Sequence, residues 1–337
     1  MKLLITGGSG FIGSNFIKYW FKNHPQDSII NLDKMTYAAN PRNLVEFESN
    51  PNYKFIQGDI LDEKLVDELV SQVDTIVHFA AESHVDRSID DPSLFIKTNV
   101  LGTYILLNAA KNHQIKRFHH ISTDEVFGTI AIDDHISQFN ENTPYDPSSP
   151  YSASKASSDH LVRSFIKTFN FPATISNCSN NYGPYQHPEK MIPRSITNLL
   201  VGDKIKIYGQ GLNFRDWLHV EDHCRAIELI LNKGQIGETY CIGGAKKGTS
   251  NMELVRFILR LMGKDESSLE YVADRPAHDN YAVSWDKINK ELGWEPKYNL
   301  ESGLQQTIDW YTANTSWWTE TKKEAEEFYL KLNSLKK

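Results

Sequence analysis

The chain is poor in cysteine, with Cys178, Cys224 and Cys241 as the three in 337 residues. An odd number without zinc-type spacing excludes a disulfide framework and a cysteine metal site, and it leads to the expectation of a reducing, cytoplasmic setting. Long apolar runs are missing too. No stretch approaches the roughly 18 residues that cross a bilayer. Met1-Lys2-Leu3-Leu4-Ile5 runs straight into a glycine turn, where a secretory leader needs a longer apolar region and a cleavage site. Positive charge is in deficit, with 36 Lys and Arg against 43 Asp and Glu for a net charge of -7. A nucleic-acid partner therefore has no electrostatic footprint. A small phosphate-bearing ligand stays compatible, because backbone donors and a few arginines act locally. Internal repeats and low-complexity tracts are absent as well.

What is present is an ordinary globular composition, 40% hydrophobic and 23% charged. The length suits one large α/β domain with a smaller lobe. Short runs rich in Ile, Val and Phe at residues 2–6, 28–32, 54–57, 75–80, 118–122 and 173–177 read as buried strands. Helix-period stretches at 12–22, 64–73, 98–112 and 154–169 lie between them. That alternation predicts a doubly wound, Rossmann-type parallel sheet with helices on both faces. The rhythm breaks near residue 180. The expected division is a dinucleotide-binding domain over 1–180, with contributions from about 210–243, and an interleaved C-terminal α/β substrate lobe over 181–209 and 244–330. Residues 319–337 read as a charged, solvated surface helix, and Trp317-Trp318 as packing for the C-terminal end.

The first strand leads into Gly7, Gly10 and Gly13, spaced as a variant dinucleotide fingerprint, with Phe11 and Ile12 opening the helix. Small residues there permit a tight turn and backbone approach to a pyrophosphate, which the helix N-terminus attracts. Asp33 ends the second strand, followed by Lys34 and Thr36. An acid there binds ribose hydroxyls and repels a 2′-phosphate, so the expected cofactor is NAD. Asp59 and Ile60 follow the third strand, where the acid is placed to meet the adenine amine, and Ala80, Ala81 and Ser83 follow the fourth; Thr98 lies further on. Ligands of open parallel sheets bind at these strand ends.

Tyr151 and Lys155 stand four apart at a helix start, which puts both on one face. A tyrosine base needs its pKa of about 10 lowered by roughly three units, and a lysine ammonium and a cationic nicotinamide both favour phenolate. The fifth strand ends in Thr123-Asp124-Glu125. The threonine hydroxyl suits a sugar O4, and two adjacent carboxyls divide acid and base duties if their environments differ. His219 and His223 have metal-like spacing without a third ligand, and His119-His120 alternate across a strand. No metal site is expected.

With these motifs, the chain resembles the extended short-chain dehydrogenases/reductases, and within them the dTDP-glucose 4,6-dehydratases. The strongest stretches are residues 80–88, 122–126, 151–157, 177–184 and 215–220. The resemblance implies that Tyr151 takes the O4 proton, Glu125 the C5 proton, and Asp124 protonates the leaving C6 hydroxyl. It implies a nucleotide-diphosphate sugar held by His84, Thr123, Asn180, Lys190, Met191, Tyr208, Arg215, Asn251, Arg275 and His278, and a homodimer formed through helices over 98–112 and 154–169. Phe127, Ala39, Lys206 and Ala277 depart from the family pattern, the last three from glycine, proline and glycine. They leave dTDP-glucose as first expectation with UDP-GlcNAc as an alternative. An NAD-dependent sugar epimerase is the second reading; Asp124 and Glu125 discriminate, since C4 epimerisation needs neither an acid at C6 nor a base at C5.

Overall fold

The computed structural model describes residues 1–134, 136–244, 248–273 and 279–335. Seven parallel strands form its central sheet: β1 (Lys2–Thr6), β2 (Ser28–Asp33), β3 (Tyr53–Gln57), β4 (Thr75–His78), β5 (Arg117–Thr123), β6 (Ala173–Cys178) and β7 (Thr239–Ile242), in the order β7-β6-β5-β4-β1-β2-β3. The chain winds outward from β1 to β3 and then crosses back to β4. The crevice between the carboxyl ends of β1 and β4 is therefore the switch point where such sheets bind ligands. The helices used below are α1 (Phe11–Asn23), α2 (Glu63–Val70), α3 (Thr103–Asn112), α4 (Pro150–Phe169), α5 (Met191–Val201), α6 (Val220–Lys233), α7 (Asn251–Leu261), α8 (Leu300–Ala313) and α9 (Thr315–Leu335).

Strand alternation distributes the core to both faces of the sheet. Leu4 packs with Val66 of α2, Leu106 of α3 and Val162 of α4. Its neighbours Leu3 and Ile5 pack on the other face with Phe16 and Trp20 of α1 and Ile227 of α6. A second core joins Ile192 and Ile196 of α5, Leu254 and Ile258 of α7, Leu304 and Tyr311 of α8, and Trp317 and Trp318 of α9. In this smaller C-terminal α/β lobe the parallel pair Ile205–Tyr208 and Leu269–Val272 lies against α5 and α7.

The structure departs from the sequence expectation in four places. The strand β7 was not visible as a separate run, because its four residues follow a helix closely. The fourth strand stops at His78 because residues 79–82 leave the sheet, with Ala80 N–H donating to Thr6 Oγ1 at 3.3 Å. The helix expected over 98–112 begins as a π-helix, Ile96–Gly102, a distinction that apolar periodicity does not carry. It places Asn99 where its amide pairs both ways with the Glu82 backbone at 2.9 Å and donates to Ser154 Oγ at 2.8 Å. The C-terminal helix α9 is docked, not solvated: Trp317, Trp318 and Ala325 are buried.

Candidate active site

Two adjoining cavities open at the carboxyl end of the sheet. The first is lined by all of Gly7, Gly10, Phe11, Ile12, Gly13, Asp33, Lys34, Thr36, Asp59, Ile60, Ala80, Ala81, Ser83, Thr98, Tyr151 and Lys155. The glycines act differently there. A Cβ on Gly7 would lie 2.7 Å from the Ala80 backbone, at a φ of +71°, and one on Gly13 would lie 2.4 Å from Gly7 O. Both are dictated by packing. A Cβ on Gly10 would meet only Gly7 O, at 3.4 Å, within 4 Å. Its remaining surroundings are the cavity, so the backbone at Gly10 is left bare for a ligand to approach. Asp33 accepts from Ser9 N–H at 2.9 Å and Met35 N–H at 2.8 Å, one bond to each carboxylate oxygen, and this orients the carboxylate at the cavity wall. Lys34 pairs with Asp59 at 2.7 Å across the outer end. A bare glycine turn at a helix start and an oriented carboxylate one strand over fit a dinucleotide with free ribose hydroxyls.

Gly10→Ala should accordingly keep the parent melting temperature within about 1 °C and weaken NAD binding at least tenfold. Gly13→Ala should lower the melting temperature by several degrees, because the methyl must displace backbone. Differential scanning fluorimetry with and without NAD checks both.

The catalytic candidates converge on the same space. Ser149 caps α4 with a capping box and Pro150 occupies its first turn, so Tyr151 and Lys155 sit in the opening turns of a well-started helix. Thr123 ends β5, caps the short 3-10 turn Asp124–Phe127 by accepting from Glu125 N–H at 3.3 Å, and donates to Asp124 Oδ1 at 3.3 Å. Thr123, Glu125, Tyr151 and Lys155 line the first cavity. Asp124 lies behind the wall, fully buried, with Oδ2 lacking a hydrogen-bond partner among the described residues.

Electrostatics separate the candidates. Burial, then Glu125 and Asp216, push the Asp124 carboxyl well above the usual carboxylate range, the direction that suits the acid of the pair. Burial and Glu125 push the Tyr151 phenol up, while the Thr123 hydroxyl opposes them. Lys155, expected to lower Tyr151, donates to Ile121 O at 2.8 Å; burial lowers its own pKa, and Asp159, one turn along α4, resists. The phenolate therefore needs an additional positive charge in the cavity, a role that a nicotinamide cation fits.

The raised Asp124 carries a stability cost that shows in pH dependence. Its folded pKa lies above the unfolded value of about 3.9, so its contribution is complete below that value and is lost as pH rises through the folded pKa. Asp124→Asn has no such loss. Its melting temperature should overtake the parent's increasingly as pH rises, by roughly 2 °C per kcal/mol recovered in a chain of this size. Thermal melts over a pH series check the widening gap.

The second cavity is lined by His84, Asn180, Lys190, Met191, Tyr208, Arg215 and Asn251, all expected from sequence, and it shares Ser83, Glu125, Asn180 and Lys190 with the first. Thr123 faces the first cavity only. Arg275 and His278, with the substitution Ala277, lie outside the described residues. Asn180 Oδ1 and Asn251 Oδ1 are buried acceptors with no hydrogen-bond partner among the described residues, positions suited to a polar ligand. Arg215 donates to the Asp279 and Phe214 carbonyls and stacks 4.8 Å from the Tyr281 ring centroid. His219 stacks on Tyr298 at 4.0 Å and His223 bonds Asn181 at 2.9 Å.

Sequence reasoning missed Glu189, which lines both cavities and lies 3.8 Å from both His84 and Arg87. It also missed Gln186 and Asn181, which share that wall. Adjacency of Glu189 to Lys190 was the one available signal. Arg87 in turn stacks on Tyr37 at 3.7 Å, a contact between distant loops that spacing does not reveal.

Comparison with known proteins agrees with this geometry. A family profile for GDP-mannose 4,6 dehydratases matches residues 4–307. A dTDP-glucose 4,6-dehydratase of Mycobacterium tuberculosis (strain CDC 1551 / Oshkosh) is 49% identical over 331 residues, covering 98% of each chain. The crystal structure of DesIV, a dTDP-glucose 4,6-dehydratase from Streptomyces venezuelae with NAD and TYD bound, superposes with a TM-score of 0.91 at 46% identity, covering 96% of this chain and all of the other. A UDP-glucose 4-epimerase from Thermotoga maritima has a TM-score of 0.86 at 28% identity, covering 94% of this chain and 100% of that one. The fold is thus common to dehydration and epimerisation, and the site must discriminate.

Proposed function

This chain belongs to the dTDP-glucose 4,6-dehydratase family of extended short-chain dehydrogenases/reductases, and from that premise we propose that it converts dTDP-glucose to the 4-keto-6-deoxy sugar nucleotide with loss of one water. The observation that carries the reading is the pair at the end of β5: Asp124, fully buried behind the wall where burial pushes its carboxyl upward, next to Glu125, a carboxyl on the cavity wall. The glycine turn and Asp33 would hold NAD, which would supply the hydride acceptor that oxidation at C4 requires and the donor for C6.

The chain's own groups handle the protons. Tyr151, steered by Thr123, takes the proton from O4. The new ketone acidifies C5, and Glu125 removes that proton. Asp124 gives its proton to O6, which departs as water across the C5–C6 bond. Glu125 then returns its proton to C5 as C6 is reduced. For Asp124 to reach O6, its side chain must turn out from behind the wall. Lys190, Arg215 and the acceptors Asn180 and Asn251 hold the nucleotide diphosphate and sugar, with His84 beside them. The large lobe over 1–180 with about 210–243 serves the cofactor, and 181–209 with 244–330 serves the substrate.

The enzyme works in the cytoplasm as a homodimer in this reading. Among the described residues no helix is long and apolar enough to cross a membrane. Ile89, Leu94, Ile96, Leu101 and Tyr104 leave an exposed apolar row before and along the start of α3, and Phe169 does so at the end of α4, which is the composition of a paired surface.

The deciding experiment incubates the protein with dTDP-glucose, and in parallel with UDP-GlcNAc, without added reductant. A product one water lighter than dTDP-glucose, with no net NADH, is expected. Recovery of only a C4 epimer would overturn the reading, and turnover of UDP-GlcNAc alone would reassign the substrate.

A further inference from the structure

Past Tyr151 and Lys155, α4 carries a third ionisable group, Asp159, that the proton steps above do not use. Residues 151, 155 and 159 repeat at four-residue spacing and form one row along the helix. Asp159 is fully buried. Its Oδ2 accepts from Ser122 Oγ at 2.8 Å, Tyr145 OH at 2.8 Å and Asn177 Nδ2 at 3.3 Å. Ser122 belongs to β5 and precedes Thr123. The Asn177 amide, from β6, also donates to Thr123 O at 3.1 Å. Lys155 donates to Ile121 O at 2.8 Å. Helix α4 thus holds Ile121, Ser122 and Thr123 in succession, and the ties to Ser122 and Thr123 run through Asp159.

The charges around Asp159 narrow to one partner. His120 Nε2 of β5 lies 3.2 Å from Oδ1, but burial, then Lys155, lower that imidazole to about 4, so it is neutral near physiological pH. Burial, then His120 and Lys155, lower His78 of β4 further. Burial raises the Cys178 thiol of β6 to about 12. Burial and then Asp159 push the Tyr145 phenol up, and Arg163 meets the carboxylate through Tyr145, donating to its hydroxyl at 2.8 Å. Among the described residues, the cation that acts directly on Asp159 is therefore Lys155. The dependence is mutual. Burial works against the Lys155 ammonium, and Asp159 leads the groups that sustain it. A buried charge that loses its partner is left uncompensated.

We propose that Asp159 is a positioning residue for the hydride step: it ties Ser122 and Thr123 to the helix that carries Tyr151, and its charge sustains the Lys155 ammonium. The inference rests on the dehydratase reading in taking Tyr151 as the base for O4, a step that dehydration and C4 epimerisation share. With Thr123 held, its hydroxyl stays where it steers Tyr151; with Lys155 charged, the phenolate forms near a cation.

The test compares Asp159→Asn with Ser122→Ala, both in an Asp124→Asn background where Asp124 no longer titrates. The pre-steady-state rise of reduced-nicotinamide absorbance reports C4 oxidation of whichever nucleotide sugar the parent turns over. Asp159→Asn keeps the shape and an acceptor and loses the charge. Lys155 then loses its proton at lower pH, so the alkaline fall in oxidation should begin at lower pH. The rate at the background's alkaline edge should drop about tenfold, with nucleotide affinity within about twofold. Ser122→Ala keeps the charge and removes one tie; it should slow oxidation about tenfold at every pH and leave the alkaline limb in place. An even loss across the pH series in Asp159→Asn, or an unmoved limb, means packing alone and overturns the proposal. So does Ser122→Ala oxidising at the background rate, which is the deciding result where Asp159→Asn melts below the assay temperature. A parent that yields only a C4 epimer overturns the dehydratase reading, while the Asp159 effect is still read on its oxidation step. A parent that oxidises no nucleotide sugar overturns both.

Discussion

Tyr151→Phe should lower kcat by about 10²- to 10⁴-fold, the range for removing a positioned general base, while nucleotide affinity stays within about twofold because the ring is kept. The pH profile is the sharper readout. Burial and Glu125 hold the phenol up, so the base form becomes populated as pH rises, and a cation in the cavity brings that step toward neutrality. Asp124 works in the opposite sense: it acts while protonated, and its raised pKa lets it stay so above the ordinary carboxylate range. Parent activity should therefore climb on the acid side with Tyr151 and decline on the alkaline side as Asp124 ionises. The variant should lose the rising limb and keep the falling one. Turnover within threefold of the parent, or an unchanged rising limb, would remove Tyr151 from the base role.

The features behind this expectation differ in how readily the sequence shows them. Tyr151 and Lys155 are four apart on a capped helix, and local spacing decides that they share a face. The glycine turn and Asp33 sit at fixed distances from a strand end, so their convergence follows from the parallel-sheet rule. Asp124 and Glu125 were visible as a pair, yet not their separation: one is buried behind the wall and the other lines it. The acid character of the buried one also draws on Asp216, some 90 residues later, whose negative charge adds to burial in raising the Asp124 carboxyl. The partner of Lys155 is a backbone carbonyl, which no side-chain motif marks. Glu189 and Arg87 meet across loops, and Arg194 meets Glu326 across 132 residues. Composition made the C-terminal helix look solvated because its charged residues were counted without their partners. Contacts set by long-range closure of the chain are those that periodicity and spacing do not encode.

Glu125→Gln should separate the two halves of the reaction. Over one cycle Tyr151 gains the O4 proton, Asp124 gives one to the leaving oxygen, and Glu125 takes the C5 proton and gives it back; exchange with solvent then removes the proton gained by Tyr151 and restores the one lost by Asp124. Oxidation at C4 does not call on Glu125, whereas an amide cannot accept the C5 proton. The variant should show a stoichiometric rise in reduced-nicotinamide absorbance that persists, product formation lower by about 10²- to 10⁴-fold, and no exchange of C5 hydrogen with deuterated water. Asp124→Asn should also stall after oxidation, but C5 exchange should continue, because the base is intact and only the acid is gone. That contrast follows from the different burial of two adjacent carboxyls. Exchange at the parent rate in Glu125→Gln would place the C5 base elsewhere. Loss of exchange in Asp124→Asn with normal exchange in Glu125→Gln would invert the two roles. Turnover to a C4 epimer by both variants at the parent rate would show that neither carboxyl takes part, and that the reaction shared with the epimerases of this fold is the one this site performs.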